Sequence, residues 1–180
     1  MTHMAQVFDI PILLWIQENL RMDILTRIFK VITFLGDRGW FWIALVLFLL
    51  IFKKTRRMAV ASGITLAISI LINNLAIKNL VGRIRPYDFT NSVVPLISKP
   101  DDFSFASGHT CASFAVALVL VRYDKRMGIP AVILASLIGF SRLYLGVHYP
   151  TDVIAGFLIA LVVSTIVCIF FKPGRRKFGR

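Results

Sequence analysis

The sequence predicts an all-α integral-membrane bundle of about six transmembrane helices preceded by an N-terminal interfacial helix, and three observations predict it. Hydrophobic residues make up 57% of the 180 residues and the mean hydropathy is +0.77, more apolar surface than one soluble core of this size can cover, so the excess must face lipid. Charged residues are only 17% of the chain and fall in short clusters between long apolar runs rather than along polar helix faces. Several of those runs approach the roughly 20 residues that a helix needs to cross a bilayer.

The first residues, Met1 to Asp9, lack the basic stretch, apolar core and small-residue cleavage site of a removable signal. Phe8 to Leu20 mixes apolar residues with Gln17, Glu18 and Asn19, the composition of a helix lying in the interface. Six candidate spans follow. The first, about Asp23 to Leu35, is the weakest, being short and carrying Arg27 and Lys30. The second, Gly39 to Phe52, opens on Trp40 and Trp42 and ends at Lys53, an aromatic belt at one end and positive charge at the other. The third runs from Met58 to Val81, where Gly82 and Pro86 stop it. Gly108 to Val121, Ile129 to Leu145 and Pro150 to Phe171 complete the set. The whole chain, 1–180, reads as one domain with its chemistry in 78–152.

Twenty-one Lys+Arg against nine Asp+Glu give a formal net charge of +12. In a soluble protein that excess would suggest nucleic acid, but here the cations cluster beside apolar segments: Lys53, Lys54, Arg56 and Arg57, then Arg122, Lys125 and Arg126, then Lys172, Arg175, Arg176, Lys177 and Arg180. They read as cytoplasmic topogenic charges, with no nucleic-acid partner implied. Six spans then put both termini inside, and put the Gly36-Asp37-Arg38 turn, the long Gly82 to Ser107 loop and the Gly146 to Thr151 turn outside. The two cysteines, Cys111 and Cys168, fall near opposite faces and are expected to be unpaired, buried and apolar in role.

That topology brings three polar stretches to the outer face. In the first, Lys78 and Arg85 lie two helical turns apart and share a face if the third span continues past Gly82; the forked donors of Arg85 suit a phosphate. In the second, Ser107 and Gly108 open a helix whose free N–H groups favour an anion, with His109 in the first turn able to donate a proton. Ser107 serves equally as a helix cap. In the third, Ser141-Arg142 is followed by His148 and, four residues on, Asp152, with Pro150 placed to start the sixth helix. A His–Asp pair fixes the imidazole tautomer and frees the other ring nitrogen to attack phosphorus. Each stretch has an ordinary structural explanation by itself. Polar residues near membrane depth are costly, and their convergence suggests a site. Arg83, Lys99, Asp101 and Asp102 read equally well as ordinary loop charges.

These residues together resemble the type 2 phosphatidic acid phosphatase superfamily, whose signatures are Lys-x6-Arg-Pro, Pro-Ser-Gly-His and Ser-Arg-x5-His-x3-Asp. The first and third are complete, and in the second Ala106 stands where the family has Pro. The resemblance implies that Lys78, Arg85, Arg142, Ser107 and the Gly108 backbone hold the phosphoryl group. It further implies that His148 attacks with Asp152 orienting it, and that His109 serves the leaving oxygen. It implies no cofactor and no metal, since three cations and a helix N-terminus already oppose the charge; Asp88, Asp101 and Asp102 lack a compact liganding pattern. The expected substrate is a lipid phosphate or diphosphate in the bilayer, foremost undecaprenyl diphosphate, with phosphatidylglycerophosphate or phosphatidate next. A soluble-substrate phosphatase or vanadate-dependent haloperoxidase shares the same residues, the latter disfavoured by the spans. A non-catalytic lipid-phosphate binder or transporter would need only the cations.

Overall fold

The computed structural model describes residues 5–172, and every regular element among them is helical. A π-helical turn, Ala5–Asp9, leads into α1 (Ile10–Asn19). Helices α2 (Asp23–Gly36) and α3 (Trp40–Ile51) are joined by a short 3-10 turn, Asp37–Gly39. Helix α4 (Arg56–Leu71) continues through a π-helical segment, Ile72–Ile77, into the single turn α5 (Lys78–Val81). After the short α6 (Pro86–Phe89) and a long loop come α7 (Gly108–Tyr123), α8 (Lys125–Tyr144) and α9 (Pro150–Phe170).

Helix α7 is the axis of the bundle, packed between α4, α8 and α9. Small residues make this possible: Ala115, Ala117 and Val119 are fully buried, and glycines on the neighbouring helices let backbones approach closely. A Cβ on Gly128 of α8 would lie 2.0 Å from Val121 Cα, and one on Gly156 of α9 would lie 2.7 Å from the Ser107 carbonyl oxygen. Outward-facing large apolar side chains such as Leu47, Phe48, Ile133, Val162 and Ile169 stay more than half exposed, the surface a bilayer would cover. Four stretches, Asp23–Ile51, Arg56–Phe89, Lys125–Tyr144 and Pro150–Phe170, are long and apolar enough to cross a membrane, and the shorter α7 runs among them.

Two expectations need correction. The first and second expected spans are one bent stretch, not a hairpin. Thr26 meets the Tyr144 hydroxyl at the end of α8, Gly36 lies against His109 and Ile138, Trp42 donates to Ser113 one turn deeper in α7, and Thr55 at the far end donates to the Leu49 carbonyl. The chain therefore keeps descending through the Asp37–Gly39 turn. Arg38 (φ 50°) and Gly39 (φ 71°) bend it there without reversing it. As a result the N-terminal end and the C-terminal end of the described chain lie at opposite ends of the bundle. Asp9 bonds to Arg83 and Thr151 at one end, whereas Tyr123 bonds to the Phe171 carbonyl at the other. The expectation that both termini share a side fails for that reason. The basic cluster from Arg175 onward lies outside the described residues; Lys53 to Arg57, Arg122 to Arg126 and Lys172 share the far end. Both cysteines are free and buried, as expected.

The α7–α8 contact yields a stability prediction. Gly128→Ala forces the two backbones apart and should destabilise the fold by about 1–3 kcal/mol, read as a lower thermal midpoint in detergent.

Candidate functional site

A cavity of about 1020 Å³ opens at the Asp9 end of the bundle. Lys78, Arg85, Gly108, His109, Arg142 and His148 all line it, so the three polar stretches do converge. Ser107 and Asp152 stand behind its wall, each with no exposed surface. Ser107 caps α7, its Oγ accepting from Thr110 N and Thr110 Oγ1, while its own N–H donates to the Asp152 carbonyl at 3.0 Å. That last bond fixes the second stretch to the third.

Helix α9 begins at Pro150 because a ring-fixed φ suits the first helical position, and Asp152 then falls in its first turn. From there its Oδ2 accepts from Tyr149 N at 2.9 Å and sits 3.3 Å from His148 Nδ1. With Nδ1 carrying the proton toward this carboxylate, Nε2 keeps its lone pair, and Arg85 Nη1 donates to it from 3.3 Å. His148 is 2% exposed; burial drives its pKa down to about 3, against the pull of Asp152, so the ring is neutral at ordinary pH.

The cations arrive by an unexpected route. Lys78 and Arg85 do not share a helix face: α5 stops at Gly82, which takes the left-handed conformation (φ 55°) that ends helices, and Arg85 is extended. They meet through the loop instead. Asp102 pairs with Lys78 Nζ and accepts from Arg85 Nη2 at 2.5 Å, while its carbonyl accepts from Arg85 Nε at 2.8 Å. Half-burial pushes the Asp102 carboxyl up, but the hydrogen bonds and charges of Lys78 and Arg85 outweigh it and hold the pKa at about 2. The third cation, Arg142, is 2% exposed; its Nη1 donates to Thr33 Oγ1 at 2.6 Å and its Nε has no partner. Elsewhere in the lining His109 Nε2 lies 2.8 Å from Asp37 Oδ1, and its ring rests on Gly36, where a Cβ would come within 2.7 Å.

Sequence reasoning missed three acids and an arginine. Arg83, read as a loop charge, donates to Asp152 Oδ1 (2.7 Å), Thr151 Oγ1 (2.7 Å) and Asp9 Oδ2 (2.6 Å), with its guanidinium 3.7 Å over the Tyr149 ring. Asp9, fully buried, also accepts from Thr151 N and Oγ1, tying the N-terminal segment to the start of α9. A lone acid in the otherwise apolar Val7–Leu14 run was the available signal for Asp9. Asp37 and Asp102 act through side chains 72 and 24 residues away, which no local pattern reveals.

Two predictions follow from these pairs. Arg83→Ala leaves two buried carboxylates facing each other and should cost about 3–5 kcal/mol, seen as a large drop in thermal midpoint that Arg83→Lys partly restores. Asp102→Asn removes the anion already seated on Lys78 and Arg85. Titrated inorganic phosphate should then bind about fivefold more tightly, the scale of one half-exposed ion pair.

The match with known proteins covers the same residues. Positions 58–176 match the PAP2 superfamily. The chain is 38% identical over 128 residues to an undecaprenyl-diphosphatase of Sulfolobus acidocaldarius, covering 71% of this chain and 62% of that protein, so it spans about three fifths of that relative's length. Its fold superposes on LpxE of Aquifex aeolicus with a TM-score of 0.75 at 28% identity, covering 91% of this chain and 96% of that one. The PAP2 type phosphatidylglycerolphosphate phosphatase of Bacillus subtilis gives 0.69 at 30% identity, with 88% and 82% covered. With the family match spanning about two thirds of its length and its architecture shared with two membrane relatives, the chain belongs to the PAP2 superfamily.

Proposed function

We propose that this chain is a metal-independent membrane lipid phosphatase that works through a phosphohistidine, with undecaprenyl diphosphate as its foremost substrate and undecaprenyl phosphate as product. One observation carries the reading: His148, in a cavity lined by cations, has its Nδ1 on a buried carboxylate and its Nε2 beside Arg85, and a second histidine, His109, lines the same cavity. A binder would need the cations but neither the His–Asp pair nor His109.

In the proposed reaction Lys78, Arg85, Arg142 and the Gly108 N–H at the start of α7 hold the phosphoryl oxygens, while Ser107, expected to share that role, caps the helix from behind the wall with its own N–H given to Asp152. The Nε2 lone pair of His148 attacks phosphorus in line, and Asp152 stabilises the imidazolium character that develops. The bond from phosphorus to the leaving oxygen breaks as His109, which takes up a proton from solvent when the anionic substrate binds beside it, gives that oxygen the proton. His109, now neutral, takes a proton from water, whose oxygen attacks the phosphohistidine; the P–N bond breaks and inorganic phosphate leaves. The cations and the helix N-terminus meet the charge that metal ions meet in other phosphoryl transfers.

Placing the basic far end in the cytoplasm sets the cavity on the outer face of a bacterial cytoplasmic membrane. Helix α1 then lies along the outer interface, and the C-terminal end is inside. The similarity to an undecaprenyl-diphosphatase supports the substrate, as does a site at one end of an apolar bundle, at the level of lipid head groups. Phosphatidylglycerophosphate is the second reading, favoured by the likeness to the Bacillus subtilis phosphatase.

The test is phosphate release in detergent with EDTA present, from undecaprenyl diphosphate, phosphatidylglycerophosphate and phosphatidate. Wild type should be active without added metal, and His148→Ala should lose activity by roughly 10³-fold or more. Equal release by the two proteins would remove His148 from the chemistry, and loss of all activity in EDTA would reinstate a metal. A single thiol placed in the Gly82 to Ser107 loop should react with an impermeant reagent from outside; labelling from the cytoplasmic side alone would invert the topology.

A further inference from the structure

The cavity holds more positive charge than one phosphoryl group uses. Lys30 and Arg38 also line it, both from the wall on which His109 rests, and neither has an ion-pair partner among the described residues. Lys30 lies on α2, two turns before the Asp37–Gly39 bend that carries Arg38, so both charges face the cavity from one continuous surface with Thr33 and Phe34 between them. Arg38 is held there at some expense. It is the one non-glycine residue with positive φ (50°) among those described, a conformation that disfavours any Cβ-bearing side chain. A strained arginine at a cavity rim points to a role for its charge.

Direction gives that role a chemical meaning. In-line attack from His148 sends the leaving group away from its Nε2 and, on the function proposed above, toward His109, which is held against Gly36 and Asp37. Whatever departs therefore meets Arg38 and Lys30. For a monophosphate ester the departing group is a neutral alcohol, to which two cations offer nothing specific. For a lipid diphosphate it is a lipid phosphate, whose oxygens both cations can bind before and after cleavage. Phe34, 56% exposed and also lining the cavity, offers an apolar path for the attached chain out to lipid.

We propose that Lys30 and Arg38 form a second-phosphate subsite on the leaving-group side of the cavity, which selects lipid diphosphates over lipid monophosphates. The inference rests on the lipid-phosphatase reading above and adds to it the residues that discriminate between the two kinds of substrate.

A matched pair of substrates tests it: farnesyl diphosphate and farnesyl monophosphate, which share a tail. In Lys30→Ala/Arg38→Gly the ratio of kcat/KM for diphosphate over monophosphate should fall about tenfold or more, mostly through KM for the diphosphate. Glycine suits the positive φ at 38, so the thermal midpoint of Arg38→Gly should match or exceed wild type, which separates loss of charge from loss of fold. An unchanged ratio, with both substrates slowed alike or neither slowed, overturns the subsite. If wild type hydrolyses neither lipid, or no faster than His148→Ala, the enzyme reading fails instead. The subsite is then decided by equilibrium binding, where the double variant should lose affinity for inorganic pyrophosphate but not for inorganic phosphate, and equal affinities for both proteins would overturn it.

Discussion

A carboxylate with no exposed surface at the head of an apolar helix has to be paired, and the pairing of Asp152 sets the positions of most groups around it. Arg83 neutralises it through Oδ1, while Ser104 Oγ, Tyr149 N and His148 Nδ1 converge on Oδ2. Each of these partners is fastened elsewhere. Ser104 N donates to the Arg83 carbonyl, Arg83 reaches back to Asp9, and the Asp152 carbonyl receives Ser107 N at the start of α7. Four separated parts of the chain are thus held by one acid: the N-terminal segment, the long loop, the head of α7 and the head of α9. The His148 ring has little freedom left once they are in place.

The same low-polarity setting governs the cations. Lys78, Arg85 and Arg142 are all nearly buried and point at one cavity, where their mutual repulsion is poorly screened. Asp102 relieves it by occupying Lys78 and Arg85, as a phosphate oxygen would. Its side chain is 52% exposed and belongs to a loop, so it can withdraw where Asp152 cannot. The cation cluster is thereby balanced in the folded chain, and on the proposed function an arriving phosphate would exchange with a resident carboxylate rather than fill an unbalanced pocket. The unpartnered Arg142 Nε is the donor that this exchange leaves ready.

How much of this was legible in the sequence depended on range. The His148–Asp152 pair was, because four residues across a helix start is a local spacing and Pro150 marks where the helix begins. The cap at Ser107 was legible for the same reason. The route by which Lys78 and Arg85 meet was not: seven residues suggest one helix face, but Gly82 turns left-handed and the loop brings the two together through an acid 24 residues beyond Lys78. The first crossing was misread because Gly36-Asp37-Arg38-Gly39 has the composition of a reversing turn, while only the contacts of Gly36 with His109 and of Trp42 with Ser113 reveal a bend that carries on downward. From that one misreading came both the extra span and the misplaced N-terminus.

Merging those two spans also explains what the charges on α2 are for. Read as an independent crossing, the helix carries Arg27 and Lys30 into lipid, a costly arrangement with no compensating partner. Read as the upper half of a bent crossing, it lies beside the mouth of the cavity, with Lys30 lining the cavity and with Val31 and Phe34 left exposed along the helix. The lipid phosphate proposed above would meet both features in one approach, its tail on the outward surface and its head at the cations. The bend at Arg38 brings Asp37 and the His109 ring it holds to the same part of the lining. On the proposed function this arrangement has a direction built in: His148 is fixed by Asp152 and His109 by the α2 side of the cavity, so the part of the substrate that leaves would be the part already attached to the membrane.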